Sequence, residues 1–168
     1  RSAAGLALLS AGTDNAPGLQ HAAPGGQKQP EAWACIEAFR APTPPLTAGR
    51  ELALTGATSM LDVSDGLLRD AGRITHASGV VIDLVDPDDL PDASFLEPVA
   101  VLVSGHDGSA ARELARSWLL TGGEDHGLLA TIPADALERL PAEARIIGRV
   151  LSPQSSPARV LRHRPGVL

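Results

Sequence analysis

Apolar residues recur along this chain at two periods, about 3.6 and 2, and the alternation predicts interleaved helices and strands. Helices are expected over Ser2 to about Ser10, Glu31 to about Phe39, and Thr47 to Leu54, the second stopped by Arg40-Ala41-Pro42-Thr43-Pro44-Pro45. A strand over 58–63 leads into a helix over 66–77, whose Leu67, Ala71 and Ile74 share one face and whose end is marked by Ser78-Gly79, a left-handed cap signal. Val80-Val81-Ile82-Asp83-Leu84 reads as a second strand, whereas 95–103 fits helix and strand equally. Ala111, Leu114, Ala115 and Trp118 form the core stripe of a helix over 108–120, with Arg112, Glu113 and Arg116 left in water. Strand 126–132, a short helix 134–140 and strand 144–151 complete the series.

Such alternation indicates an α/β (α+β) domain in which helices cover a central mixed sheet. The Gly, Pro, Asn and Gln content of 12–31 marks a flexible loop, and 152–168 reads as an irregular tail whose basic Arg159-Val160-Leu161-Arg162-His163-Arg164 is a solvated strand end. At 168 residues the chain suits one domain. It does not begin with Met, and the expectation is a fragment, or a domain cut from a longer protein.

Composition narrows the chemistry. The hydrophobic share is 43% and the mean hydropathy +0.04. No apolar run approaches the roughly 20 residues of a membrane helix, so a soluble protein without a membrane partner is expected. The formal charge of −6, from 20 acidic and 14 basic residues, argues against a broad basic surface for nucleic acid, and an aromatic content of 2% leaves little to stack on bases. The single cysteine, Cys35, excludes an intrachain disulfide, fits a reducing cytoplasm and reads as a small core residue. Lys28 is the only lysine and lies in a Gly/Pro/Gln-rich loop, which removes both a Walker A loop and a Schiff-base lysine. Any phosphate must then be neutralised by Mg²⁺, backbone amides or arginine.

The densest chemistry lies in Ser59-Met60-Leu61-Asp62-Val63-Ser64-Asp65-Gly66-Leu67-Leu68-Arg69-Asp70. Strand alternation puts Asp62 and Ser64 on one face, and the Ser-Asp-Gly corner carries Asp65 to the start of the next helix. Mg²⁺ takes one or two protein carboxylates and completes its octahedron with water and phosphate oxygens, so this corner suits half of a nucleotide site. The alternative is that Ser64-Asp65-Gly66 only starts a helix, although Asp62 between Leu61 and Val63 is not explained by capping.

Thr121-Gly122-Gly123-Glu124-Asp125-His126 is a tight turn in which Glu124 binds a cationic group, or in which both acids simply solvate the strand entrance. Asp86-Pro87-Asp88-Asp89 begins like a calcium loop, but Leu90 and Pro91 stand where an oxygen ligand and glycine are needed, so it reads as a solvated loop. Ser104-Gly105-His106-Asp107-Gly108-Ser109 is too contiguous for a catalytic triad, and Asp107 or Ser109 is expected to cap the following helix. Nothing pairs His21, His76 and His163 as metal ligands.

Asp62-x-Ser64-Asp65-Gly66-Leu67, then Ala77-Ser78-Gly79-Val80, then Gly122-Gly123-Glu124-Asp125 resemble, in this order and spacing, the C-terminal domain of thiamine-monophosphate kinase, of the aminoimidazole-ribonucleotide-synthetase type. The likeness begins at Arg1-Ser2-Ala3-Ala4-Gly5-Leu6-Ala7-Leu8-Leu9 and extends to about Val150. It implies transfer of the γ-phosphoryl of ATP to thiamine phosphate, with Asp62 and Asp65 as Mg²⁺ ligands, Ser64 as an ATP contact and Glu124 as a thiamine phosphate contact; no residue is assigned a catalytic role. It further implies that an N-terminal ATP and Mg²⁺ domain lies outside this chain, that the chain alone is inactive, and that the full-length protein is a cytoplasmic homodimer. The alternatives are another ATP-dependent synthetase or kinase of that superfamily, and a non-catalytic dimerisation or ligand-binding fragment.

Overall fold

The computed structural model describes residues 1–12, 29–153 and 159–162. Lys28, His21, His163 and most of the expected 12–31 loop lie outside the described residues. In chain order the helices are α1 (Ser2–Ser10), α2 (Pro30–Arg40), α3 (Leu46–Thr55), α4 (Leu67–Ser78), α5 (Pro91–Ser104) and α6 (Ser109–Thr121). The strands are β1 (Ser59–Val63), β2 (Val81–Leu84), β3 (Gly127–Thr131), β4 (Gly148–Leu151) and β5 (Arg159–Arg162), with 3₁₀ turns at Pro87–Asp89 and Ala134–Arg139. The class is α+β. The described residues divide into two compact units, one within Arg1–Thr43 and Pro87–Asp125 and the other within Pro44–Asp86 and His126–Leu168.

The first unit is helical. Ala4 and Leu8 of α1, Ala32, Cys35 and Ile36 of α2, Leu96, Val99 and Ala100 of α5, and Ala111, Ala115 and Trp118 of α6 make its core. Small residues bring α1 and α2 close: a Cβ added at Gly5 would stand 2.1 Å from the Cys35 carbonyl oxygen, so only glycine fits. Cys35 is the expected core residue, and burial pushes its thiol pKa up. The undecided segment 95–103 is helical despite Pro98, because Leu96, Val99 and Ala100, spaced as one helical face, bury together. Gly105 ends α5 at φ 70°. The cap of α6 is Gly108, without a side-chain hydrogen bond, so neither Asp107 nor Ser109 caps it as expected. The acidic loop folds into the 3₁₀ turn, where Arg116 donates to Asp88 at 2.6 Å, so Arg116 is not simply solvated.

The second unit holds the described strands. They form two small sheets rather than one central sheet: β1 pairs antiparallel with β3, and β2 lies between antiparallel β4 and parallel β5. The second sheet is therefore mixed. The expected strand over 144–151 shortens to its last four residues, and the expected tail contains a strand, β5. Ala71 and Ile74 of α4 pack with Ile82, Leu84 and Leu129, while Leu61, Val63 and Leu67 border them. On β1 the inward positions are Ser59, Leu61 and Val63, which leaves Met60 and Asp62 facing out. Gly79 ends α4 in the left-handed conformation that Ser78-Gly79 predicts, at φ 64°.

Candidate functional site

The corner between β1 and α4 is set by glycine. Gly66 occupies the N-cap of α4 at φ 103° and ψ 145°, a conformation that strains side-chain-bearing residues, and no side-chain hydrogen bond caps the helix. The capping alternative for Ser64 and Asp65 is thus not what their side chains do. Ser64 is half-buried in the bend past the last residue of β1 rather than continuing the strand face, whereas Asp62 and Asp65 are exposed. Strand alternation accounts for Asp62; the Gly66 turn accounts for Asp65.

Both carboxylates have partners. His126 Nδ1 lies 3.5 Å from Oδ2 of Asp62, and the His126 backbone N–H donates to Val63 O at 3.2 Å, extending the β1–β3 ladder by one bond. Arg73 on α4 donates to Asp65 Oδ2, with Arg69 farther off at 3.9 Å. The hydrogen bond from Arg73 holds the Asp65 carboxyl below its ordinary pKa, and the charge of Arg69 adds to this. Arg73 is correspondingly raised by Asp65.

Asp70, which sequence reading quotes but gives no role, is fully buried. Its Oδ2 accepts the backbone N–H of Asp65 at 3.0 Å and its Oδ1 accepts from Arg73. The signal was present: position 70 falls on the stripe of Leu67, Ala71 and Ile74, where a carboxylate needs a partner, and Arg73 stands three residues on. No side chain in the corner is a lysine.

Glu124 belongs to the helical unit and is exposed. It adopts φ 67°, and His126 φ 50°; both are non-glycine residues in the left-handed region. Gly122 supplies close approach rather than unusual dihedrals, since a Cβ there would meet the Trp118 carbonyl oxygen at 2.3 Å. Asp125 does not merely solvate the strand entrance. Its Oδ1 accepts from the Ser2 backbone N–H at 2.9 Å and from Ser2 Oγ at 3.0 Å, and Ser2 Oγ also reaches Glu124 O at 3.1 Å. The turn is thereby tied to the start of α1, where a carboxylate satisfies an orphan N–H and opposes the helix dipole.

Among the described residues no three His, Cys, Asp or Glu side chains gather into a group that could hold a metal. Asp62 and Asp65 offer exposed carboxylate oxygens, the donor type of Mg²⁺ and the number it takes from protein when phosphates and water supply the rest. By donor type and number the two residues fit the ion. Of the described histidines, His126 lies beside Asp62 and His76 is exposed on α4. Among the described residues no helix is long and apolar enough to cross a membrane.

No family model matches the chain. Among curated proteins, the thiamine-monophosphate kinase of Mycobacterium tuberculosis is 41% identical over 125 residues, covering 71% of this chain and 32% of the relative. That of Corynebacterium glutamicum is 40% identical over 152 residues, covering 89% of this chain and 38% of the relative. The chain therefore spans well under half the length of these relatives. Among solved structures, the thiamine monophosphate kinase of Aquifex aeolicus matches with a TM-score of 0.66 at 26% identity, over 96% of this chain and 45% of that one. AaThiL complexed with AMPPCP and TMP gives the same TM-score, 0.66, over 96% of this chain and 43% of that one. In sequence and in fold, the chain is similar to thiamine-monophosphate kinases over a part of their length.

Proposed function

We propose that this chain is part of an enzyme that transfers the γ-phosphoryl group of ATP to thiamine phosphate, giving thiamine diphosphate and ADP. The observation that carries the reading is the outward-facing Asp62 and Asp65 at the β1–α4 corner, in a chain whose curated relatives are named for this kinase. Asp62 and Asp65 would hold Mg²⁺, which, when bound, neutralises charge between phosphates. Phosphoryl transfer requires positioning and charge neutralisation more than covalent chemistry, so a site without lysine is chemically adequate. Ser64 would contact ATP, and the carboxylate of Glu124 would contact thiamine phosphate, whose thiazolium ring is cationic.

The same reading makes the full-length protein a cytoplasmic homodimer with ATP and thiamine phosphate as partners, and neither nucleic acid nor membrane. The chain by itself would be inactive, the remaining phosphate-clamping groups coming from an N-terminal domain. The test uses the full-length protein. Asp62→Asn and Asp65→Asn should each lower turnover at saturating substrates by orders of magnitude while circular dichroism stays unchanged. Near-native turnover of both variants refutes the assignment.

A further inference from the structure

Among the described residues, the side chain of Asp65 is held through one oxygen. Both guanidinium contacts, from Arg73 and from Arg69, fall on the same carboxylate oxygen, Oδ2. Arg73 is itself anchored: its Nη1 is bonded to Oδ1 of Asp70, a side chain with 0% exposure. The other oxygen of Asp70 accepts the Asp65 backbone N–H at 3.0 Å. One buried carboxylate thus fixes both the main chain of Asp65 and the cation gripping its side chain. A guanidinium transmits such an arrangement well, because it is a planar fork with donors in fixed relation, unlike the rotating point charge of an ammonium.

We propose that Asp70 and Arg73 are positioning residues that make Asp65 a single-oxygen ligand: Arg73 engages Oδ2 and leaves Oδ1 for a divalent cation. The inference rests on the reading of Asp65 as a metal ligand. Its chemical consequence is selectivity. Mg²⁺ demands near-octahedral geometry, whose wide ligand angles a two-oxygen carboxylate grip does not suit, whereas Ca²⁺ accepts carboxylates with one oxygen or two in a looser shell. Holding one oxygen back therefore favours the smaller ion. Neighbours that orient a ligand without touching the metal commonly change its affinity by 10- to 100-fold.

The experiment is direct Mn²⁺ binding to the full-length protein with a non-hydrolysable ATP analogue, read by electron paramagnetic resonance, with Mg²⁺ and Ca²⁺ as competitors. Arg73 is half exposed, at 49%, and glutamine keeps an amide donor for the buried Asp70, so Arg73→Gln is expected to fold, which circular dichroism checks. That variant should bind Mn²⁺ about tenfold more weakly and discriminate less against Ca²⁺. Arg73→Lys should recover only part of both. Mn²⁺ affinity in Arg73→Gln equal to or tighter than in the parent overturns the inference, and if Asp65→Asn is weakened in the same assay the metal-ligand reading survives that loss. Unchanged Mn²⁺ affinity in Asp65→Asn removes the ligand reading, and the positioning role with it.

Discussion

Glu124 offers a test in which the ordinary order of two substitutions should invert. Its φ of 67° lies in the left-handed region. A residue with a Cβ is strained there by about 1–2 kcal/mol through crowding of the following carbonyl. Glu124→Ala and Glu124→Gly both delete the carboxylate and whatever it touches, so comparing them isolates the Cβ. Alanine keeps the strain; glycine relieves it but loses about 0.5–1 kcal/mol more backbone entropy on folding. The balance leaves Glu124→Gly more stable than Glu124→Ala by about 0.5–1 kcal/mol. At an ordinary exposed helical position the order is the reverse: at Arg50 in α3, alanine should exceed glycine by about 1 kcal/mol. Urea unfolding of the four full-length variants measures both differences. If alanine is as stable as glycine at 124, the turn is not held in the left-handed conformation and the reasoning fails. If the order inverts and neither variant phosphorylates thiamine phosphate, a strained residue is retained for its side chain, as at many functional sites.

Three further outcomes follow from particular contacts. Gly5→Ala would drive a Cβ to 2.1 Å from the Cys35 carbonyl, so α1 and α2 must part, and chemical denaturation should record a loss of about 3 kcal/mol. Asp65 has its pKa lowered from 3.8 chiefly by Arg73, so its contribution to stability is complete above that value and is lost as pH falls through the lower folded pKa; urea midpoints taken from neutral to strongly acid pH should fall less steeply in Arg73→Gln than in the parent. Glu124→Gln retains shape and removes charge, and separate calorimetric titrations of the full-length protein should show thiamine phosphate bound more weakly by about 1.5–3 kcal/mol with ATP little changed; equal losses for both ligands would make the turn structural, and unchanged binding of both would remove Glu124 from the site.

What the sequence discloses of this molecule is what neighbouring residues decide among themselves. The stripe of Leu67, Ala71 and Ile74 and the stop at Gly79 describe α4 within a residue at each end, because periodicity and a left-handed cap are local properties. α5 escapes because Pro98 and the β-branched Val99, Val101 and Val103 oppose helix locally, and only the joint burial of Leu96, Val99 and Ala100 resolves the conflict. Strand partners are equally hidden: alternation identifies β1 and β2 but not that they pair in separate sheets, with β2 taking β5 from a basic stretch that reads as a solvated strand end without a partner named. The candidate site divides along the same line. Asp62 and Asp65 are legible since strand, glycine turn and helix follow one another directly, whereas Asp125 is bound by Ser2 across 123 positions of sequence, which no spacing rule anticipates. Asp70 falls between these cases. Its place on the buried face announces a carboxylate in need of partners, but that one oxygen would serve the Asp65 main chain and the other the arginine on the Asp65 side chain depends on the turn at Gly66, where φ is 103°. A buried charge on an otherwise apolar stripe, next to an acidic turn, is therefore a reason to look for the group it orients, because its burial is tolerated only where its oxygens are used.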